Sequence, residues 1–316
     1  MISIITPTHK ERPLLDITIK SVLSQNYNDF EWIVLDNSKE GYFENKLNEF
    51  LINNPKYEIR RQKVKIIHKT YDEVNIGKLK NECVSLTSCK DNEYILLLDH
   101  DDFLVDDSLL NIFKYSNKYP QAQFISGDKV QLLYDVDNKL FYPYKFSEIS
   151  GTPYEKNYNI ASGDVILNID EFQLNMGYQK EYTIRPYICD VYNREGNRFN
   201  TDGAIHSHPR CIKKQYLLNP MFQFYEDHSI SEDTVQCYMI GKFLQGVYIP
   251  KIVYVCVTYN NNTNSSIEPV EYEVKQKYNM MLNNLCNFSF YLNELFQNLP
   301  EMHSILNKDE LKSILR

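Results

Sequence analysis

Residues 93–102 read Glu-Tyr-Ile-Leu-Leu-Leu-Asp-His-Asp-Asp, an apolar run that ends in three carboxylates within four positions. Like charges this close raise one another's energy unless something positive sits among them. A hard divalent cation, which takes oxygen ligands, meets that need and can bridge Asp99, Asp101 and Asp102 to a phosphate-bearing ligand. The same residues also describe a solvated acidic turn, because Asp favours loops through local hydrogen bonds. On this stretch alone both readings stand.

The strand before the acids is what positions them. A short apolar run bounded by polar residues fits a strand buried on both faces. In open α/β sheets, ligands gather outside the carboxyl ends of such strands. Residues 2–5, 30–35 and 64–68 read as earlier strands and 124–127 as a later one. Helices are predicted over 13–23, 42–52, 78–86 and 106–115, from apolar spacing and from Pro13 at a helix start. Strands alternating with helices predict an α/β chain with a mostly parallel central sheet and right-handed crossovers.

After residue 128 the character changes. Residues 129–200 are rich in Tyr, Asn, Asp and Pro, and predict inserted antiparallel hairpins and long loops. Residues 209–218 and 231–243 read as helices, and 247–250 and 252–259 as strands. The stretch from 269 onward reads as helical throughout, packed outside the core or forming a homodimer contact.

Composition narrows the function. The chain has 316 residues, 43% hydrophobic and 24% charged, as for an ordinary globular protein. A net charge of -8 argues against a nucleic-acid partner, which wants a basic face. The seven cysteines show no CxxC or other metal-ligand spacing. Neither a signal peptide nor an apolar membrane span is read, so reduced thiols and a cytoplasmic setting are expected. With only 10 glycines, glycine-rich phosphate loops are not the main device. The absence of GxGxxG excludes a dinucleotide dehydrogenase. Residues 7–12 hold no glycine, which counts against a sugar nucleotidyltransferase.

Taken in order, several motifs resemble one family. Ile4-Ile5-Thr6-Pro7-Thr8, Ser21-Val22-Leu23-Ser24-Gln25 and Phe30-Glu31-Trp32-Ile33-Val34-Leu35-Asp36-Asn37-Ser38 look like the N-terminal half of a family 2 glycosyltransferase of the GT-A fold. Asn75-Ile76-Gly77-Lys78-Leu79-Lys80-Asn81 and Leu98-Asp99-His100-Asp101-Asp102 continue the match. Ser231-Glu232-Asp233, then Gly246-Val247-Tyr248-Ile249-Pro250, resembles that family's ED motif and the strand after it. The resemblance covers 1–127 well and 204–260 moderately. It divides the chain into a nucleotide-sugar half (1–128), an insertion (129–203), an acceptor-side half (204–260) and a helical extension (261–316).

The resemblance implies an inverting, metal-dependent transfer of a hexose (galactose, glucose or N-acetylglucosamine) from a UDP-sugar to a hydroxyl on a glycan or protein. Thr6, Pro7 and Thr8 would line the nucleotide pocket. Asp36 would accept from the uracil edge; the plainer reading is that it caps the turn through Asn37 and Ser38. Lys80 stands where an arginine is common and would pair with a phosphate or the acids. Asp99 and Asp101 match the DxD, with Asp99 near the ribose and Asp101 on a Mn²⁺ or Mg²⁺. His100, between them, is expected to point away. Asp233 would be the general base, favoured as a carboxylate at a helix start; without the family it reads as simple N-terminal charge matching. His206, His208 or Asn262 would be a third metal ligand or an acceptor contact. The histidine that many relatives carry after the last strand is replaced by Tyr259-Asn260-Asn261-Asn262-Thr263. That departure, with Lys80, leaves open a catalytically silent nucleotide-sugar-binding module or assembly protein. The QxxRW motif and membrane helices of processive members do not appear, which implies one sugar per encounter.

Overall fold

The computed structural model describes residues 1–71, 75–137, 140–143, 160–161, 209–224, 226, 236–237, 240, 244 and 246–259. Asp233, His206, His208, Asn262 and the C-terminal helices expected from 269 lie outside the described residues, as does most of the 129–203 insertion.

The chain begins β1 (Ile2–Thr8), α1 (Leu15–Leu23), β2 (Phe30–Asp36), α2 (Tyr42–Asn53), a 3-10 stretch (Pro55–Lys63), β3 (Val64–His68), α3 (Ile76–Leu86) and β4 (Tyr94–Leu97). It continues with β5 (Phe103–Leu104), α4 (Ser108–Lys118), β6 (Phe124–Asp135), β7 (Leu140–Pro143), β8 (Ile160–Ala161), β9 (Cys211–Lys213), α5 (Lys214–Leu217) and β10 (Gly246–Tyr259). Among the described residues these strands form one sheet of order β3-β2-β1-β4-β9-β6-β10-β5, with β7 and β8 hanging from β6. β3-β2-β1-β4 and β6-β10 pair in parallel. The sheet is the mostly parallel α/β sheet that the alternation of elements predicts.

Strand alternation sorts the core into two layers. Ile4, Trp32, Val34 and Leu96 face α1, α2 and α4, meeting Ile19, Phe43 and Leu109. Ile5, Ile33, Leu35 and Leu97 face the other way, onto Leu79, Cys83 and Val84 of α3. All seven residues of β1 are buried, as a central parallel strand requires. Ser3, Thr6 and Thr8 are its polar residues, and Thr6 lies near its centre. Its hydroxyl donates to Leu98 O at 2.8 Å and accepts from Trp32 Nε1 at 2.9 Å, joining three strands' worth of structure inside the apolar layer.

The helix predicted over 209–218 is corrected. Cys211–Lys213 is a strand lying antiparallel between β4 and β6, and only Lys214–Leu217 is helical. Cys211 and Ile212, at 1% and 2% exposure, fill the gap between two parallel blocks. Pairing on both edges outweighs the local pattern. The two strands predicted at 247–250 and 252–259 are one 14-residue strand. Its register against β6 shifts between Ile249 and Ile252 and again before Tyr254. Pro250 sits at that irregularity, where a missing N–H is tolerated. At the start of β10, Gly246 is required by close approach: a Cβ there would lie 2.2 Å from Phe124 Cζ.

Replacing Thr6 by Val keeps the shape but strands a buried indole N–H and a carbonyl. The protein is expected to lose about 1–3 kcal/mol by urea melts; an unchanged midpoint would show that the hydroxyl is not a structural bridge.

Candidate active site

In the strand order 3-2-1-4 the chain after β1 goes to β2 on one side, and the chain after β4 goes to the other half of the sheet. Crevices at such a switch point, outside the carboxyl ends of the strands, take ligands. Three segments end there: Thr8 and His9 after β1, Asp36 and Asn37 after β2, and Asp99 to Asp102 after β4.

The turn after β4 is tied down from several sides. Asp102 N donates to Asp99 O at 3.1 Å. Thr18 Oγ1 of α1 donates to Asp102 O at 2.8 Å. Tyr254 OH of β10 donates to Asp102 Oδ2 at 2.8 Å and accepts from Asp99 N at 3.2 Å. Val257 N donates to Asp102 Oδ1 at 2.8 Å. Asp102 is therefore an anchor between the turn and β10, with both oxygens used. The irregularity in β10 just before Tyr254 fits the habit of bulges to re-aim side chains beside sites.

The other two acids have cationic partners. Lys80 Nζ of α3 is 3.5 Å from Asp99 Oδ1, and Arg12 Nε is 3.3 Å from Asp101 Oδ2. Arg12 Nε is also 3.2 Å from His100 Nε2, to which it donates. Lys80, Arg12 and His100 are all buried, at 3%, 9% and 6% exposure. Burial pushes His100 down to about 3, with Arg12 adding to the effect, so the ring is a neutral acceptor. Burial raises Asp101 to about 6; Arg12 opposes and Asp99 adds. Burial, then Asp101 and Asp99, raise Asp102 well above the usual carboxylate range.

On the β1 and β2 side, Asp36 is fully buried. Its Oδ1 accepts from Ser38 N at 2.9 Å and its Oδ2 from Phe43 N at 3.0 Å, the turn-capping contacts. Thr8 Oγ1, His9 Nδ1 and Asn37 Nδ2 are buried polar atoms with no hydrogen-bond partner among the described residues. Pro7 lies within β1, opposite Leu35. Thr6, Thr8, Asp36, Lys80, Asp99 and Asp101 thus all belong to β1, β2, α3 and the β4 turn, but Thr6 and Asp36 are occupied with structural hydrogen bonds.

α3 also grips the chain that leads towards Asp233. Asn81 Nδ2 donates to Phe224 O and Glu226 Oε1, both at 2.8 Å, and Asn81 Oδ1 accepts from Phe224 N at 2.9 Å. The Phe224 ring lies 5.4 Å from Lys80 Nζ and 5.3 Å from Arg210 Cζ. Arg210 Nη1 donates to Gln236 Oε1 at 3.0 Å.

Sequence reasoning missed Arg12 and Tyr254. A cation in the loop after β1 shares a sheet edge with the loop after β4, so topology could have flagged Arg12. Tyr254 is one of 25 tyrosines, and nothing in its neighbours marks it.

Hard oxygen donors at Asp99 and Asp101 suit a divalent cation. No group of three His, Cys, Asp or Glu side chains gathers as a metal site among the described residues. A site of two carboxylates matches the way Mg²⁺-type ions are held, with substrate phosphates completing the shell. The buried, unpartnered Thr8, His9 and Asn37 atoms are what a polar ligand along β1 and β2 would satisfy.

An α/β sheet with a crevice at its switch point is the class this geometry defines. Residues 3–130 match the family described as Glycosyl transferase family 2. A search of curated proteins returns no significant match. Among solved structures, S. aureus TarS 1–349 aligns with TM-score 0.55 at 13% identity, covering 99% of this chain and 69% of that one. The same fragment in complex with UDP-GlcNAc gives 0.56 at 14%, covering 99% and 70%. Its complex with UDP gives 0.53 at 14%, covering 99% and 69%. At such identities the likeness establishes the fold. No helix among the described residues is long and apolar enough to cross a membrane.

An acid whose pKa is raised by folding favours the fold at low pH, and that advantage is lost as pH rises through the folded value. In divalent-free buffer the native protein should therefore lose stability relative to Asp101→Asn between pH 3.8 and about 6. Urea melts across that range check this; curves that stay parallel would contradict it.

Proposed function

We propose that this family 2 domain makes the protein a metal-dependent, inverting glycosyltransferase that uses a UDP-sugar. The observation that supports it is the turn after β4: Asp99 and Asp101 are presented at the switch point while Asp102 is withdrawn into the scaffold. The structure of TarS with UDP-GlcNAc, on the same fold, favours UDP as the carrier and a hexose as the cargo.

In this reading Asp101 and Asp99 hold Mn²⁺ or Mg²⁺. When bound, the ion stabilises negative charge on the departing diphosphate, as a Lewis acid does. Lys80 lies against Asp99 and supplies positive charge to the phosphates. The Asp36–Asn37 corner takes the base, with Asp36 fixing the corner through the Ser38 and Phe43 amides. Thr8 and His9 line the nucleotide's path along β1. Asp233 takes the proton from the acceptor hydroxyl as that oxygen attacks the anomeric carbon from the face opposite the leaving diphosphate. One in-line displacement inverts the centre. His206, His208 and Asn262 are assigned to the acceptor side or to the ion. The nucleotide-sugar half, the insertion, the acceptor half and the helical extension retain the boundaries given above, and the insertion and extension define a glycan or protein acceptor.

A screen of UDP-galactose, UDP-glucose and UDP-N-acetylglucosamine hydrolysis with Mn²⁺ tests the proposal. One sugar should turn over, and Asp101→Ala should slow it by at least about 100-fold, the scale of lost electrostatic stabilisation. Asp233→Asn should lower turnover comparably with UDP affinity held within about twofold, since a base acts in the chemical step. Tight UDP binding with no turnover of any donor would favour the silent binding module. Undiminished hydrolysis by Asp101→Ala would refute the assignment.

A further inference from the structure

Each of the three carboxylates after β4 is compensated differently. Asp102 takes neutral donors, Tyr254 OH and Val257 N, built into β10. Asp99 takes Lys80. Asp101 takes Arg12, through Nε at 3.3 Å. The same Nε–H donates to His100 Nε2 at 3.2 Å, so the guanidinium is an ion-pair partner of Asp101 and a hydrogen-bond donor to its neighbour. The guanidinium also lies 5.7 Å from the ring centre of Tyr259, at the end of β10. Arg12 follows β1 in a segment without helix or strand, on a long stem at the sheet edge that carries Asp101.

A guanidinium on Asp101 and a divalent ion on the same carboxylate repel each other. They cannot both keep their closest contact, because two positive charges a few Å apart in a partly dry site repel each other. A diphosphate arriving with the ion offers the guanidinium a better partner, because its planar fork matches phosphate oxygens.

We propose that Arg12 is the resident counter-cation of Asp101, holding that carboxylate until a divalent ion arrives with the nucleotide and then transferring to the diphosphate. This rests on the reading of Asp99 and Asp101 as the cation site. Arg12 thereby disfavours the ion alone and favours the ion with its nucleotide, which couples the two binding events.

Calorimetric titrations of Arg12→Gln and Arg12→Lys separate this from a structural role. Two are needed: MnCl₂ without nucleotide, and UDP at saturating Mn²⁺. Arg12→Gln should bind Mn²⁺ alone roughly three- to tenfold tighter, because a competing charge is gone. It should bind UDP at least about tenfold more weakly, because a charge-assisted fork is lost. A residue that merely props the loop would weaken both. Arg12→Lys keeps the charge, so its affinity for Mn²⁺ alone should stay within about twofold of wild type. If Arg12→Gln does not fold, the lysine variant decides: unchanged Mn²⁺ affinity supports the proposal, and a marked gain or loss overturns it. Weaker or unchanged Mn²⁺ binding by Arg12→Gln, or unchanged UDP binding, also overturns it. Wild-type protein that binds neither Mn²⁺ nor UDP would instead sink the underlying cation-site reading.

Discussion

Three carboxylates in four residues, at the end of a strand buried on both faces, would repel one another strongly if left alone. The rest of the structure can be understood as the answer to that repulsion. Asp102 is pulled back into the sheet, where both its oxygens accept hydrogen bonds from β10. Asp99 and Asp101 stay at the mouth, each beside a buried cation. Isolated buried charges are costly, and removing one partner of such a pair leaves the other uncompensated. The arrangement thus sets a cation beside each of two acids at the mouth while the third secures the turn that carries them.

The partners come from far apart in the chain, which is why the sheet order matters. Arg12 follows β1, Lys80 lies on α3, and Tyr254 belongs to the last described strand. Strand order 3-2-1-4 brings the first two next to β4 at the switch point. The antiparallel β9, set between β4 and β6, carries the parallel β6–β10 pair alongside. The shift in β10 then sets Tyr254 over the turn. A one-residue slip in that strand would turn its side chains to the other face and cut the tie.

Much of this was legible beforehand. Apolar runs such as Phe30–Asp36 and the periodic helices are local signals, and they placed the parallel half of the sheet. The DxD-like acids and Lys80 were legible as types in order, and the structure brings them within contact. Cys211–Lys213 was not, because a three-residue strand is specified by the two edges it fills and not by its own pattern. Asp36 shows the limit differently: its capping contacts follow from the sequence Asp-Asn-Ser, while a role toward a base needs a ligand to be seen. Arg12 and Tyr254 act through long-range contacts that carry no local mark. Asp233 stands outside the described residues, and its role remains a proposal built on the family's ED motif.

The most direct test is crystallographic. Crystals grown with UDP and MnCl₂, measured at the manganese edge, report where the ion sits by anomalous scattering. The account predicts one anomalous peak in contact with Asp101 and the diphosphate, with Asp102 still bonded to Tyr254 and Val257. A peak on Asp102, or UDP bound at the β1–β4 crevice with no ion beside Asp101, would contradict it.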